Sequence, residues 1–248
     1  MGWYLDRKCS CKRIDSTIRE LGINTDEAIV PPGGYASFND FFARKLKDGA
    51  RPLPADACKL ISPADCRLTV YPQINGDTVI PVKGTPYTTS ELLGADAEGF
   101  TDGALMVCRL CPADYHRYHT PDAGTVLSSR KVRGKYHSVN PLALEAGCCV
   151  FTQNLRVVVM LDLAHAGRCA FVPVGAFGVA SIHNCLAQPG MQFARGDEAG
   201  YFTFGGSTVI MVFPKDSVLF DADIVEHSAQ GVETLVKANS AIGTYLRG

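Results

Sequence analysis

Two stretches carry residue types that can do chemistry. The first, Asp114-Tyr115-His116-Arg117-Tyr118-His119-Thr120-Pro121, sets two of the six histidines three apart among aromatic and charged neighbours. Histidine takes up or releases a proton near neutral pH, so the pair suits acid–base work. On a strand His116 and His119 would point to opposite faces; on a helical turn they would share one. A lone histidine is more often a hydrogen-bonded structural residue, and His137, His165, His183 and His227 read that way. The second stretch runs from Tyr201 to Phe213 and places Gly205-Gly206 directly before Ser207-Thr208 in an apolar run. Adjacent glycines weaken a strand and leave its backbone open to close approach. A hydroxyl beside an unshielded carbonyl suggests chemistry on the chain itself. The plain alternative is a glycine bulge, with Ser207 and Thr208 bonding locally.

The elements that must position these residues follow from periodicity and turn chemistry. Asp15 to Leu21 reads as a short helix, capped by Asp15 or Ser16, with Ile14, Ile18 and Leu21 on one face. Pro31-Pro32-Gly33-Gly34 breaks the chain. Ser37-Phe38-Asn39-Asp40 opens a second helix, with serine at the cap and an acid three residues on. Phe38, Phe41, Phe42 and Leu46 give it an apolar face, and Arg44, Lys45 and Lys47 sit toward its C-terminal end, where the dipole favours cations and most of them read as a solvated helix end. From Leu60 the pattern becomes short apolar runs divided by Gly, Pro, Asn and Asp: Arg67 to Tyr71, Thr78 to Val82, Leu105 to Leu110, Thr125 to Val132, Arg156 to Leu163 and Cys169 to Val174. Such spacing predicts a mostly antiparallel β core. Thr88-Thr89-Ser90-Glu91 starts a further short helix carrying Leu92 and Leu93. Ser62-Pro63-Ala64-Asp65 reads as a turn between two strands. The expected fold is α+β, N-terminal helices followed by a β-sandwich or barrel-like core, with 1–248 as one domain.

Composition narrows the function. With 46% hydrophobic and 20% charged residues and a net charge of −1, the chain is that of a globular protein without a basic field for nucleic acid. No apolar run approaches the ~18 residues of a membrane span. The N-terminus lacks the apolar core of a signal peptide, and ten cysteines then favour reduced thiols in the cytoplasm. Cys108-x-x-Cys111 and His116-x-x-His119 lie too close together for a zinc finger, whose pairs stand about 12 residues apart. No metal is expected, and those cysteines read as buried thiols.

Several motifs in order resemble the phosphatidylserine decarboxylase family. They are Ser37 to Leu46 with Arg51-Pro52, Ser62-Pro63-Ala64-Asp65, Lys83-Gly84-x-x-Tyr87, the two-histidine segment, Asn154-x-Arg156, Val174-Gly175-Ala176, Glu198-x-Gly200 and Gly205-Gly206-Ser207-Thr208. The resemblance implies a self-processing enzyme. Asp65 would orient His119, His119 would deprotonate Ser207, and the chain would part between Gly206 and Ser207 into residues 1–206 and 207–248. Ser207 would become a pyruvoyl group, the electron sink that pyridoxal phosphate supplies elsewhere. His116 would serve turnover, as proton donor to the product carbon. One departure stands out: Cys66 replaces the family's glycine after Asp65. A positive φ there would cost a cysteine about 1 kcal/mol or more and tilt the Asp65 loop.

The resemblance further implies phosphatidylserine as substrate, phosphatidylethanolamine as product, and a homodimer. A lipid substrate calls for peripheral contact at the inner membrane face. Trp3, Tyr4, Arg7, Lys8, Lys12 and Arg13 are the candidates, although the same residues suit ordinary surface. Three alternatives stay open. They are a pyruvoyl enzyme acting on a free amino acid such as tryptophan, a serine hydrolase using Ser207, His119 and Asp65, and a non-catalytic binding protein on the same fold. The hydrolase would lack the usual strand-to-helix elbow after its serine.

Overall fold

Strands buried almost throughout build the core. The computed structural model describes residues 2–74, 88–134, 154–175, 182–204 and 207–247. The Thr78–Val82 run, the Lys83–Tyr87 motif, His137, Ala176 and Gly205-Gly206 lie outside these residues. Helices are α1 (Gly2–Leu5), α2 (Ile14–Leu21), α3 (Phe38–Phe42), α4 (Thr89–Leu93) and α5 (Ala222–Ala229). Strands are β1 (Lys59–Ile61), β2 (Cys66–Tyr71), β3 (Ala104–Leu110), β4 (Arg117–His119), β5 (Gly124–Val132), β6 (Arg156–Leu163) and β7 (Gly167–Gly175). They continue as β8 (Ile182–Asn184), β9 (Gln192–Phe193), β10 (Glu198–Phe202), β11 (Ser207–Phe213), β12 (Val218–Phe220), β13 (Thr234–Val236) and β14 (Ala241–Tyr245).

Eight strands form one antiparallel sheet in the order β13-β2-β3-β11-β7-β6-β5-β9. Two three-stranded sheets, β1-β14-β12 and β4-β10-β8, accompany it. β11 lies in the middle, and every one of its residues is buried. Val209, Met211 and Phe213 enter the core beneath the small sheets, among Tyr118, Phe202, Phe220 and Tyr245. Ile210 and Val212 enter the opposite layer, with Leu92, Leu93 and Phe100. A strand covered on both faces reads as a continuous apolar run. The large sheet ends at β13 and β9, so the arrangement is α+β with an open sandwich rather than a closed barrel.

The N-terminal helices make a third cluster of Leu5, Ile14, Ile23, Phe38, Phe41 and Phe42. α2 begins at Ile14, one residue earlier than the sequence suggested. Neither Asp15 nor Ser16 caps it; Ser16 Oγ instead donates to the Arg13 carbonyl at 3.0 Å. Leu21 is exposed, because α2 packs only through the start of its apolar face. α3 is capped as expected: extended Ser37 accepts the Asp40 N–H at 3.1 Å. It stops at Phe42, so Leu46 is not on the helix. Arg44 is not a solvated helix end either, for only 5% of it is exposed. Lys45 and Lys47 are exposed. α4 forms with a full capping box between Thr88 and Glu91.

Candidate active site

Ser207 opens β11, opposite Leu110 of β3 on one side and Gly175 of β7 on the other. The Gly175 side is itself tied down. Asn154 Nδ2 donates to the Gly175 carbonyl at 2.8 Å, while Arg156 donates to Leu92 O and Glu91 O at the end of α4. The Asn154-x-Arg156 and Val174-Gly175 motifs thereby act on one side of Ser207. Ser207 is fully buried, and its Oγ has no hydrogen-bond partner among the described residues. A buried hydroxyl left unbonded is costly in a structural residue.

The histidine segment is a strand at its end, and its two histidines face different surroundings. β10 holds β4, pairing Glu198 with His119 and Gly200 with Tyr118. Gly200 is needed for close approach: a Cβ there would lie 2.2 Å from His183 O and 2.4 Å from Tyr118 Oη. Glu198 accepts from Arg117 Nη1 at 2.5 Å, which accounts for the other half of Glu198-x-Gly200.

His116 is fully buried, with its ring centroid 3.8 Å from that of Phe42. Its Nδ1 lies 2.9 Å from Asp114 O. A carbonyl only accepts, so Nδ1 carries the proton and Nε2 presents a lone pair, without a partner among the described residues. Burial pushes its pKa down to about 3, and the nearby Arg44 adds to the effect. His119 is tied at both nitrogens. Nδ1–H donates to Gly196 O at 3.0 Å, and the Tyr115 hydroxyl donates to Nε2 at 3.1 Å. Burial lowers the His119 pKa, opposed in part by the Gly196 carbonyl.

Asp65 comes close to this group without bonding to His119. The turn Ser62–Asp65 joins β1 to β2 as the sequence suggested, and Pro63 O accepts the His119 N–H at 2.7 Å. The carboxylate itself is held by Arg51, at 2.7 Å from Nε and 2.5 Å from Nη2, and by the Ala238 N–H at 2.8 Å. Cys66 departs from expectation: it starts β2 and is not among the residues with positive φ, so no left-handed strain arises. Its thiol is buried beside Cys108, and burial raises its pKa.

Sequence reasoning brought Ser207, His116, His119 and Asp65 into consideration, yet missed the groups that hold them. Arg51, part of the Arg51-Pro52 motif, carries no local sign of its partner Asp65. Tyr115 and Gly196 gave no signal, being respectively an aromatic in an aromatic-rich segment and a backbone carbonyl. Arg44 was misplaced outright. Its Nη2 donates to Ala113 O and Asp114 O, at 3.1 and 3.3 Å, bracing the segment below His116.

Known proteins similar to this chain share one family name. The family model for phosphatidylserine decarboxylase matches residues 38–244. A phosphatidylserine decarboxylase proenzyme of Clostridium novyi is 42% identical over 247 residues, covering 99% of this chain and 83% of that protein. Its counterpart in Ruminiclostridium cellulolyticum is 39% identical over 244 residues, covering 98% and 81%. Phosphatidylserine decarboxylase proenzyme 3 of Schizosaccharomyces pombe is 40% identical over 246 residues; the chain spans 25% of its length. These matches define the class as a carboxy-lyase made from a proenzyme and dependent on a pyruvoyl group. The chain belongs to the phosphatidylserine decarboxylase family.

Proposed function

We propose that the chain cuts itself between Gly206 and Ser207 and then decarboxylates phosphatidylserine to phosphatidylethanolamine. The observation that carries this is Ser207 Oγ, buried and without a partner among the described residues at the head of the central strand, in a chain of this family. Ser207 Oγ attacks the Gly206 carbonyl carbon; its proton passes to His119 Nε2 and on to the departing Ser207 nitrogen, leaving an ester. Loss of the Ser207 Cα proton then expels the Gly206 carboxylate, and addition of water with release of ammonia completes the change. The products are residues 1–206 and residues 207–248. For this, Tyr115 must leave Nε2, while Gly196 O keeps the ring in the right tautomer. Asp65 acts across the cluster by its charge, which favours a protonated His119.

The residues present fit the pyruvoyl group. It would head β11, held by the ladders to β3 and β7, within a buried environment. When formed, it supplies a carbonyl that accepts the substrate amine and holds the electron pair released with carbon dioxide. His116 has the lone pair that the next step requires. The anionic substrate bound beside it raises the pKa that burial holds at about 3 in the free chain, so that Nε2 takes up a proton and delivers it to the carbon that lost carbon dioxide.

The hydrolase alternative fits poorly, because Ser207 heads a strand rather than a strand-to-helix elbow. Reduction with borohydride in the presence of phosphatidylserine should attach the lipid amine to the 207–248 piece. Labelling by tryptophan but not by the lipid would favour a free amino acid as substrate, and no label at all would end the pyruvoyl account.

Access to the lipid falls to the N-terminal segment. Trp3 is 73% exposed beneath the Arg7 guanidinium, with Lys8, Lys12 and Arg13 also exposed. Among the described residues no helix is long and apolar enough to cross a membrane. Aromatic and cationic side chains together favour an anionic lipid surface. Trp3→Ala should weaken sedimentation with phosphatidylserine vesicles; unchanged sedimentation would remove this surface from the account. A homodimer is what the family resemblance implies.

A further inference from the structure

Asn39 has no place in the cap or the aromatic face of α3, yet it is only 7% exposed. Both ends of its side-chain amide are used. Nδ2 donates to Asp6 Oδ1 at 2.7 Å, and Oδ1 accepts the Phe204 N–H at 3.1 Å. Phe204 lies three residues ahead of Ser207. Its ring stands edge-on to Phe38 and Phe42, with centroids 5.3 and 5.2 Å away. Two residues upstream, the Phe202 N–H donates to His116 O at 2.9 Å. The segment entering the processing site is therefore gripped by α3 and by the histidine segment.

We propose that Asn39 is a positioning residue for self-cleavage, holding the chain at Phe204 ahead of the Gly206–Ser207 bond as β11 holds it beyond. This rests on the self-cleavage proposed above. Attack of a hydroxyl on the adjoining carbonyl is an unfavourable local geometry, and it proceeds only if both sides are held. The serine side is held by two ladders of the large sheet. On the other side, the Phe204 N–H is taken by a side chain rather than a strand partner, and the orientation of that amide is set by the Asp6 carboxylate. Reversing the amide would place Nδ2 against an N–H and Oδ1 against a carboxylate, so the bond to Phe204 depends on Asp6 as well.

The test uses the exchange of donor and acceptor. Freshly synthesised chains are followed by denaturing gel, and rates are taken for the folded fraction only. Asn39→Leu removes both bonds, and Asn39→Asp sets one carboxylate against another; each should slow cleavage about 10- to 100-fold. Adding Asp6→Asn to Asn39→Asp restores one donor facing one acceptor and leaves an acceptor for the Phe204 N–H. This double variant should cleave within about twofold of the wild-type rate. Wild-type rates in Asn39→Leu, or a double variant no faster than Asn39→Asp, would overturn the proposal. A wild-type chain that stays whole would instead overturn the self-cleavage on which it stands.

Discussion

His116 and His119 differ in what their free nitrogens can do. His119 Nε2 is reached through a displaceable tyrosine hydroxyl, whereas His116 Nε2 has no partner among the described residues and its ring lies against Phe42. The first arrangement suits a single event and the second repeated turnover. His119→Ala should leave the chain whole on a denaturing gel. His116→Ala should still yield two pieces but lose about 100-fold or more in decarboxylation rate; a whole His116→Ala chain would contradict the division. Burial also makes His116 an acid-sensitive point. Its pKa is about 3 folded against 6.5 ordinarily, so between those values the unfolded chain binds a proton that the folded chain refuses. The contribution is intact above about 6.5 and is lost as pH falls toward about 3. With Ser207→Ala holding the chain unprocessed, denaturant midpoints should fall more steeply with acid when His116 is present than in His116→Gln. Parallel slopes would show that His116 does not carry the effect.

At the scale of elements, the short ones do the positioning. β4 has only three residues, and its placement depends on β10 passing Tyr118 without a side chain at Gly200. Gly200→Ala forces a methyl group into the His183 carbonyl and should cost about 1–3 kcal/mol, with slower self-cleavage. A variant with unchanged melting and cleavage would show that the pairing is looser than its geometry. Much of this level was legible in the chain. Ser37 announced α3, Thr88 and Glu91 announced α4, and the apolar runs marked β2, β3, β5, β6 and β7 within a residue or two. Arg44 was not legible, because it was assigned to a helix that ends before it, and nothing local says that a cation will turn inward to brace two carbonyls. The Arg51 clamp on Asp65 and the Asn39 bridge from Asp6 to Phe204 join residues 14, 33 and 165 positions apart. Such contacts follow from the tertiary path rather than from any periodicity. The two histidines were legible as a pair, but their different surroundings became definite only with the tertiary path, which puts His119 on β4 and His116 just before it against Phe42.

For the whole molecule, the proposed cut does not divide the fold. The 207–248 piece supplies β11 to the middle of the large sheet, β13 to its edge, and β12 and β14 to a small sheet. Side-chain contacts cross the same boundary: Arg109 pairs with Glu233, the Ala238 N–H bonds Asp65, and Asn239 bonds Arg51 O. Two pieces so interleaved bury a shared core and should travel together on native size exclusion, parting only in denaturant. The resemblance of motifs gave the reaction class; packing explains why a chain could lose a bond at the head of its central strand and keep its shape. The intact mass of the active enzyme under denaturing conditions tests this most directly. The account predicts two polypeptides, 1–206 and 207–248, the second lighter by one ammonia than a fragment headed by serine. An active preparation consisting of one unbroken chain, with serine unaltered at position 207, would contradict it.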